Sequence, residues 1–519
     1  MGTKLSRRQM LQLMGSTVVA AAGSSLLAAC KPAGPTATTE GPTAQSTIEP
    51  SPAALEQVTL KLAFAGDAPS SEVLGEVLAE AEARLADTLN VKLDISFAPW
   101  SDMSKLDLIL QSGEDIDLIF DAPWWHIHQN IAQDFYVVLD DLLPVYAPHV
   151  LEVRPQIMWD ANKFNGKVYG IPLGVFCYQG RQSIIRKDIR EALGLPKPTN
   201  WDEMEALLKA AKEEYPDMIP INYFYFGDYA SHLTTQDFDT SPRSTTMPDL
   251  DVLYMEGNDG VVRNMFEDMS ERIWSIFQRV HAWFEAGYIP SDVLTNGQNY
   301  MMNSGKTVVD CQTEFGVPVT HRKDVEAMGG ETEWVTFFDR SKKRVTNFLQ
   351  YNFICVPKVS KNQERSLRFL DWANASKENY DLLAYGIPGK HWEPAGDDMY
   401  RVLDASYPWF PYMWVWNPTY ERTNEEFGAE AADWNKWTMD ANNFEADKIT
   451  GHTFNNDAVV DQMAQLGALK TQYYYPTSSG TADLETNWQE YKEKANDLVK
   501  VVQEEYQRQV DEFLASKGG

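Results

Sequence analysis

The sequence predicts an α/β fold, because strand and helix patterns alternate where its folded part begins. The stretches "VTLKLAFA" and "VKLDISF" place apolar residues at every second position, as strands with one preferred face do, and "DIDLIFDA" reads as a third strand. Apolar residues recur at helical spacing from Glu72 to Leu89, and a second helix is expected from Ser101 to Ser112. This alternation indicates a parallel sheet with crossover helices.

The chain is too long for a single hydrophobic core. It has 519 residues, and a body of roughly 465 residues is expected to divide into about two or three domains. Further strands are predicted within "GIPLGVF", "IPINYFYFG", "GKTVVDCQTEF" and "QYNFICVP". Further helices are predicted after an N-cap at Thr199 or Asn200, at 271–286, 364–374, 377–384 and 457–472, and from Leu484 to the end.

The amino terminus has the three-part form of a secretory signal. Lys4, Arg7 and Arg8 precede a weakly apolar run, and small residues follow it. Leu27 to Cys30 resemble a bacterial lipobox, in which the cysteine thiol receives a diacylglycerol before the signal is cleaved. "SRRQML" is similar to a twin-arginine export signal, and general secretion remains open beside it. We therefore predict a signal peptide at 1–29 and lipidation of Cys30.

The residues that follow Cys30 are predicted to be a disordered tether. Residues 30–55 interleave proline with Thr, Ser, Ala and Gly, and such a composition cannot bury enough apolar surface to fold. A lipid on Cys30 would then hold a folded body at the outer face of a cell membrane. The alternative is a transmembrane anchor, but Gly15, Ser16 and Gly23 are among the small residues that dilute the apolar run.

Composition excludes a nucleic-acid reader. The net charge is −30, and removal of residues 1–29, which hold three basic and no acidic side chains, would make it −33. Such a field repels phosphate, so we predict no nucleic-acid partner. Cys177, Cys311 and Cys355 lie in apolar or strand-like contexts and allow either three buried thiols or one disulfide and one thiol.

Aromatic residues follow two of the predicted strands. "APW" ends the second strand at Trp100, and "DAPWW" ends the third at Trp125. Ligands of open α/β sheets bind beyond the carboxyl ends of the strands. The two strand ends are therefore the first indication of a binding site.

The chain resembles the family 1 extracellular solute-binding proteins of ABC importers, and among them the large LplA-type lipoproteins assigned to sugars or oligosaccharides. "GKVYGIP", "IIRKDIREALGLPKPTNWDE", "SGKTVV", "SKENYDLLAYGIPGKHWEP" and the ending "RQVDEF" carry the resemblance, which covers residues 56–519. Many relatives have an acidic calcium-binding loop before the strand "IPINYF". Here "KEEYPDM" stands there instead, so we predict no metal and no cofactor.

The resemblance implies a two-lobe, type II periplasmic-binding-protein-like fold with a hinge and an interlobe cleft. By motif, the first lobe takes residues 56–174 and 349–395, and the second takes 175–348 and 396–519. The hinge is expected near Ile171 to Val175 and Tyr351 to Val356. The implied partners are a small solute, the permease subunits of an ABC transporter and the membrane, with the protein acting as a monomer.

Sixteen tryptophans also suggest a sugar ligand. A pyranose presents a flat face of C–H groups that packs on an indole, while its hydroxyl groups need carboxylates and amides. The motifs "DAPWW", "INYFYF", "CQTEF", "GKHWEP" and "SYPWFPYMWVWN" combine such residues. The candidate ligand-binding residues are Trp100, Asp121, Trp124, Trp125, Phe176, Tyr178, Tyr223, Tyr225, Glu314, His391, Trp392 and Trp409.

Each candidate has a structural alternative. Trp100, Trp124 and Trp125 could belong to the core, Trp409, Trp414 and Trp416 could form a hydrophobic wall, and His391 could be a structural histidine. Trp274 and Trp283 lie in a helical pattern and are predicted to be core, and the resemblance implies a structural role for Trp201, which caps a helix in the related proteins. His126 and His128 in "WHIH" supply two ligands where a metal site needs more, so a loop or helix start is the better interpretation.

Several classes of function remain open. A secreted carbohydrate-active hydrolase would need two opposed carboxylates, and 75 acidic residues cannot exclude such a pair. The sequence lacks GxSxG, HExxH and glycine-rich phosphate-binding motifs, which excludes the commoner hydrolases and nucleotide enzymes. A binding protein for peptides and an adhesive surface lipoprotein also remain open. The lipobox and the two-lobe resemblance favour a non-enzymatic receptor that captures a sugar or oligosaccharide.

Overall fold

Two mixed β-sheets, each with its own hydrophobic core, organise the folded chain. The computed structural model describes residues 55–517 apart from 67, 175–181, 224–227, 238–250, 313–315, 338 and 408–413. The strands are β1 (Val58–Ala65), β2 (Val91–Ala98), β3 (Leu118–Asp121), β4 (Gly170–Leu173), β5 (Gln182–Arg186), β6 (Ile219–Tyr223), β7 (Leu253–Tyr254), β8 (Arg263–Asn264), β9 (Thr307–Gln312), β10 (Thr332–Val335), β11 (Arg344–Thr346), β12 (Asn352–Cys355), β13 (Trp392–Pro394), β14 (Met399–Val402), β15 (Thr423–Asn424) and β16 (Phe444–Ala446).

Helices cover both sheets. They are α1 (Ser71–Leu85), α2 (Ser104–Ser112), α3 (Ile127–Ala132), α4 (Leu143–Tyr146), α5 (Pro148–Glu152), α6 (Gln156–Ala161), α7 (Lys187–Ala192), α8 (Trp201–Glu214), α9 (Tyr229–Asp237), α10 (Glu271–Glu285), α11 (Val293–Asn296), α12 (Gly316–Ala327), α13 (Gln363–Ala375), α14 (Lys377–Tyr385), α15 (Gly428–Thr438), α16 (Val460–Leu469), α17 (Tyr475–Ser478) and α18 (Leu484–Lys517). A π-helical turn over Lys470–Tyr474 joins α16 to α17.

The first sheet has the strand order β2-β1-β3-β12-β4. β1 pairs in parallel with β2 along its whole length, from Val58 opposite Val91 to Ala65 opposite Ala98, and also in parallel with β3. The predicted parallel start of the fold is therefore confirmed. β12 then returns from a distant part of the sequence and pairs antiparallel with both β3 and β4.

The second sheet has the strand order β10-β5-β9-β6. β6 runs parallel to β9, whereas β5 runs antiparallel to β9 and β10. Trp201 and Trp283 are buried in its core and Trp274 packs against that core, as predicted. Asn200 caps α8 by accepting a hydrogen bond from the Glu203 backbone N–H.

The first predicted helix ends earlier than expected. The apolar spacing suggested a helix to Leu89, whereas α1 ends at Leu85. Asn90 adopts a φ of 47° in the left-handed region, which turns the chain away from the helix and into β2. Ser70 accepts a hydrogen bond from the Val73 backbone N–H and fixes the other end of α1.

The segment after residue 395 packs differently from its predicted assignment. Sequence motifs placed 396–519 in the second lobe, but Tyr400, Tyr407 and Trp414 lie in the core of the first sheet. Trp414 contacts Phe64 of β1 at a ring-centroid distance of 5.4 Å. Tyr400, Tyr407 and Trp414 therefore help to complete the first core, and the later helices α16 and α18 contribute to the second.

Two cysteines are buried, Cys311 in β9 and Cys355 in β12, while Cys177 lies outside the described residues. Burial raises the pKa of the Cys355 thiol well above its usual range. Over the part of the chain that the structure describes, none of the helices combines the length and the apolar composition needed to cross a bilayer.

Candidate functional site

The carboxyl ends of four strands meet at one edge of the first sheet. β1, β2 and β3 are parallel, so Ala65, Ala98 and Asp121 end side by side. β4 ends at this edge at Leu173, and β12 begins there at Asn352 because it runs in the opposite direction. The edge is the position at which open α/β sheets bind their ligands.

Two exposed indoles lie at this edge. Trp100 follows β2 and is 45% exposed, and Trp124 follows β3 and is 47% exposed. Their ring centroids are 6.4 Å apart, with an angle of 38° between the ring planes. Phe120 supports Trp124 from within the sheet, at a centroid distance of 6.0 Å. The two rings form an apolar platform that solvent can reach.

Asp121 organises the loop that carries Trp124. Its carboxylate was predicted to contact the ligand, but it is 1% exposed. Its oxygens accept hydrogen bonds from the Tyr136 hydroxyl (2.6 Å), the Asn130 amide (2.9 Å) and the backbone N–H groups of Ala122 (2.7 Å) and His126 (3.4 Å). Burial raises the pKa of Asp121, and the hydrogen bonds lower it. The effect of burial is the larger, so the pKa lies above its usual range. Its role is therefore to position the loop.

Trp125 faces the protein more than its neighbour does. It is partly buried against the first core, and its ring lies 4.3 Å from that of His126. His126 Nδ1 lies 2.9 Å from the Asp107 carboxylate of α2, which ties the loop to the helix that follows Trp100. The first histidine of "WHIH" is thus part of the scaffold between the two exposed indoles.

Asn352 is a residue of this edge that sequence reasoning missed, and the buried Gln350 lies close to it in the chain. Trp124 Nε1 donates a hydrogen bond of 3.3 Å to Asn352 Oδ1, so the first residue of β12 fixes the orientation of the indole. Gln350 lies against Gly174, which has a φ of 138° and where an added Cβ would come within 2.3 Å of Gln350 Oε1. Glycine suits both this backbone conformation and the close approach. The amide residues in "LQYNF", at the start of a buried strand, were the signal in the sequence that could have indicated them.

At the corresponding edge of the second sheet, the described side chains are buried. Tyr223 ends β6 and is 2% exposed, so this candidate contributes packing. Its backbone N–H donates to the Tyr229 hydroxyl at 3.1 Å, and its ring lies 5.2 Å from that of His232. His232 Nε2 is 3.4 Å from the Ser183 hydroxyl at the start of β5. Helix α9 therefore supports this edge.

His391 and Trp392 were expected to contact the ligand, but both are buried. His391 Nδ1 accepts a hydrogen bond from the Ile387 backbone N–H at 3.0 Å, and its ring stacks on Tyr407. Burial lowers the pKa of His391. Trp392 Nε1 donates to the Gly386 carbonyl at 2.9 Å, while the Arg422 guanidinium covers its ring. The two residues are structural parts of the first core.

Several candidates lie outside the described residues. They are Phe176, Tyr178, Tyr225, Glu314 and Trp409, together with Cys30. Among the residues that are described, no three His, Cys, Asp or Glu side chains group as metal ligands would. The described part of the site thus consists of two exposed indoles and the Asn352 amide beside one of them. Such a surface can stack on a ring and exchange hydrogen bonds with hydroxyl groups.

Comparison with known proteins places the chain in a family. The model of the family described as bacterial extracellular solute-binding protein matches residues 81–388, and one described as a domain of unknown function (DUF3502) matches residues 448–515. A carbohydrate ABC transporter substrate-binding protein of Streptococcus pneumoniae serotype 4 is 26% identical over 486 residues, which cover 89% of this chain and 92% of the relative.

Solved structures share the whole fold. The N-glycan transport solute-binding protein NgtS from Streptococcus pneumoniae has a TM-score of 0.72 at 22% identity, over 88% of this chain and 99% of that chain. Its complex with Man1GlcNAc has a TM-score of 0.67 at 22% identity, over 88% and 100%. The two-lobe α/β fold that the sequence predicted is confirmed. Because the family match spans more than half of the chain, this protein belongs to the bacterial extracellular solute-binding proteins.

Proposed function

We propose that this protein is an extracellular, lipid-anchored receptor that captures an oligosaccharide and delivers it to the permease of an ABC transporter, without catalysing a reaction itself. The observation that carries the proposal is the exposed pair of Trp100 and Trp124 at the carboxyl edge of the first sheet, with Asn352 fixing Trp124. Indole faces beside amides suit a sugar ring and its hydroxyl groups. A relative named for carbohydrate transport supports the same ligand class.

The proposed lobes follow the sheets. The first would comprise residues from 56 to 174 and a returning segment that starts near 349 and extends to about 415, since the first core includes Trp414. The second would comprise the chain between these segments and the C-terminal helices. A glycan held between both lobes would favour their closure, because it gains contacts that the open form lacks. The closed form would then report occupancy to the permease.

Calorimetric titration with a panel of glycans that includes Man1GlcNAc tests the proposal. We expect one glycan to bind with a stoichiometry near one and to be recovered unchanged after long incubation. Trp124→Ala should weaken its affinity about tenfold or more, within the range found for truncated aromatic anchors. Val145→Ala, which trims an exposed side chain on α4, is the matched control and should leave the affinity unchanged.

Three results would contradict this function. Release of shorter sugars during incubation would identify a hydrolase, and tight binding of peptides without glycan binding would identify a peptide receptor. Equal affinity of the wild type and Trp124→Ala would mean that the ligand binds elsewhere than at the indole pair.

Lipid anchoring is proposed from the lipobox that ends at Cys30, and it has its own test. Cys30→Ala should abolish lipid incorporation and shift the protein from the membrane fraction to the soluble fraction, because the acyl chains that hold it in the bilayer would be missing. Cys311→Ala, which removes a buried thiol from β9, serves as the control and should stay with the membranes. Membrane retention of Cys30→Ala equal to that of the wild type would instead favour a transmembrane anchor.

A further inference from the structure

The C-terminal segment that matches a domain of unknown function contacts the start of α9 at the end of α17. There, the Ser478 hydroxyl at the end of α17 donates a hydrogen bond to Asp228 Oδ1. The same carboxylate oxygen accepts a bond of 3.1 Å from the Ser231 backbone N–H in the first turn of α9. Ser478 and the start of α9 therefore share one acceptor.

Helix α9 transmits this contact to the carboxyl edge of the second sheet. Tyr229 is the first residue of α9, and its hydroxyl accepts a hydrogen bond from the Tyr223 backbone N–H. The same hydroxyl donates a hydrogen bond of 3.4 Å to the Ile221 carbonyl. One turn further along, His232 contacts the Tyr223 ring and the Ser183 hydroxyl. A displacement of Asp228 would thus reach the last residue of β6 and the start of β5.

Helix α17, which ends at Ser478, and the turn after it are held by neighbouring elements. The π-helical turn of Lys470–Tyr474 leads into α17. Such turns are rare in proteins, and those that occur are often found at functional sites. Asn487 of α18 donates to the Tyr473 carbonyl at 2.8 Å and to the Thr477 hydroxyl at 2.6 Å. His281 Nδ1 of α10 lies 3.0 Å from the Gly480 carbonyl.

Gly480 brings the turn after α17 into direct contact with α10. It has a φ of 74°, and an added Cβ would come within 2.6 Å of the Val280 carbonyl oxygen. Only glycine allows this backbone approach. The buried Thr477, Ser478 and Ser479 are thereby held against the second core instead of facing solvent.

We propose that the C-terminal segment 448–515 serves ligand binding by positioning the carboxyl edge of the second sheet, and that Ser478 is the residue through which it acts. The inference rests on the proposed function, because the edge matters for a ligand that the two lobes share. Ser478 is a positioning residue that acts through Asp228 and α9. His232 of α9 contacts the Tyr223 ring at the sheet edge.

Hydrogen exchange and glycan titration of the full chain test this role together. In Ser478→Ala, amides in peptides covering 219–223 and 228–237 should exchange about tenfold faster than in the wild type, as loss of one hydrogen bond to a charged acceptor implies. The dissociation constant for the glycan that the wild type binds, with Man1GlcNAc as the first probe, should rise about fivefold or more. Ser478→Thr keeps the hydroxyl and should restore both values.

The control is Lys500→Met. Lys500 lies in the same C-terminal segment, and its ammonium group is 2.7 Å from the Glu267 carboxylate. It should change neither the exchange of these peptides nor the affinity. Unchanged exchange in Ser478→Ala would overturn the inference, and so would faster exchange with an unchanged dissociation constant. If the wild type binds no glycan of the panel, the proposed function fails, while the exchange arm still decides whether Ser478 holds the sheet edge.

Discussion

Replacing Asp121 with alanine should lower the free energy of unfolding by about 2–4 kcal/mol, because buried donors would be left without an acceptor. The Tyr136 hydroxyl, the Asn130 amide and two backbone N–H groups would lose their acceptor in a buried environment. Donors that are buried without a partner carry most of this cost. Urea unfolding, followed by tryptophan fluorescence, measures the effect.

Two variants calibrate that result. Asp121→Asn keeps the shape and one acceptor oxygen, so it should cost less than Asp121→Ala. Asp107→Ala removes the carboxylate that pairs with His126 and should cost about 1 kcal/mol, as for a single hydrogen bond. A loss below about 0.5 kcal/mol in Asp121→Ala would mean that the loop does not depend on this carboxylate.

Glu421→Gln should stabilise the protein at alkaline pH. Burial raises the pKa of Glu421 to about 8, although the Tyr380 hydroxyl donates to Oε2 and Lys377 lies nearby, and both favour the charged form. The unfolded chain releases this proton near its ordinary pKa, so the folded protein binds more protons between these values. Stability therefore falls as the pH rises from about 4.5 to about 8.

Glutamine keeps the acceptor for Tyr380 and removes the titration. At pH 8 the variant should exceed the wild type by about 1–3 kcal/mol, after allowance for the partial exposure of the residue, and at pH 4.5 the two should nearly coincide. Urea midpoints at both pH values provide the measurement, with the exposed Glu213→Gln on α8 as control. A stability difference between the wild type and Glu421→Gln that does not change between these pH values would contradict the assignment.

Local periodicity predicted the start of the fold well. The limits of β1 and the order of β1, α1, β2, α2 and β3 follow from apolar residues at spacings of two or about 3.6. The end of α1 was wrong by four residues, because the left-handed backbone of Asn90 leaves no trace in the apolar pattern. The pairing of β12 between β3 and β4 joins residues far apart in sequence, which no local pattern specifies.

The ligand site stays a prediction, and the structure shows only which of its described candidates are exposed. The expectation that tryptophans at strand ends face a ligand is consistent with the exposure of Trp100 and Trp124, since parallel strands place their carboxyl ends together. Composition could not separate these from Tyr223, His391 and Trp392, which are equally aromatic but buried. Their burial depends on partners that are distant in the chain, such as Arg422 over Trp392 and His232 against Tyr223.

The sequence alone determined the chemical character of this protein: a strongly acidic, tryptophan-rich α/β chain with a lipobox-like amino terminus. These properties depend on which residues are present and on their local spacing. Only the tertiary structure decided that Asp121 holds a loop, that Asn352 orients Trp124, and that Ser478 contacts Asp228 across 250 residues of sequence. Each of these roles requires a partner brought close by folding, and proximity in space is set by the packing of whole sheets and helices.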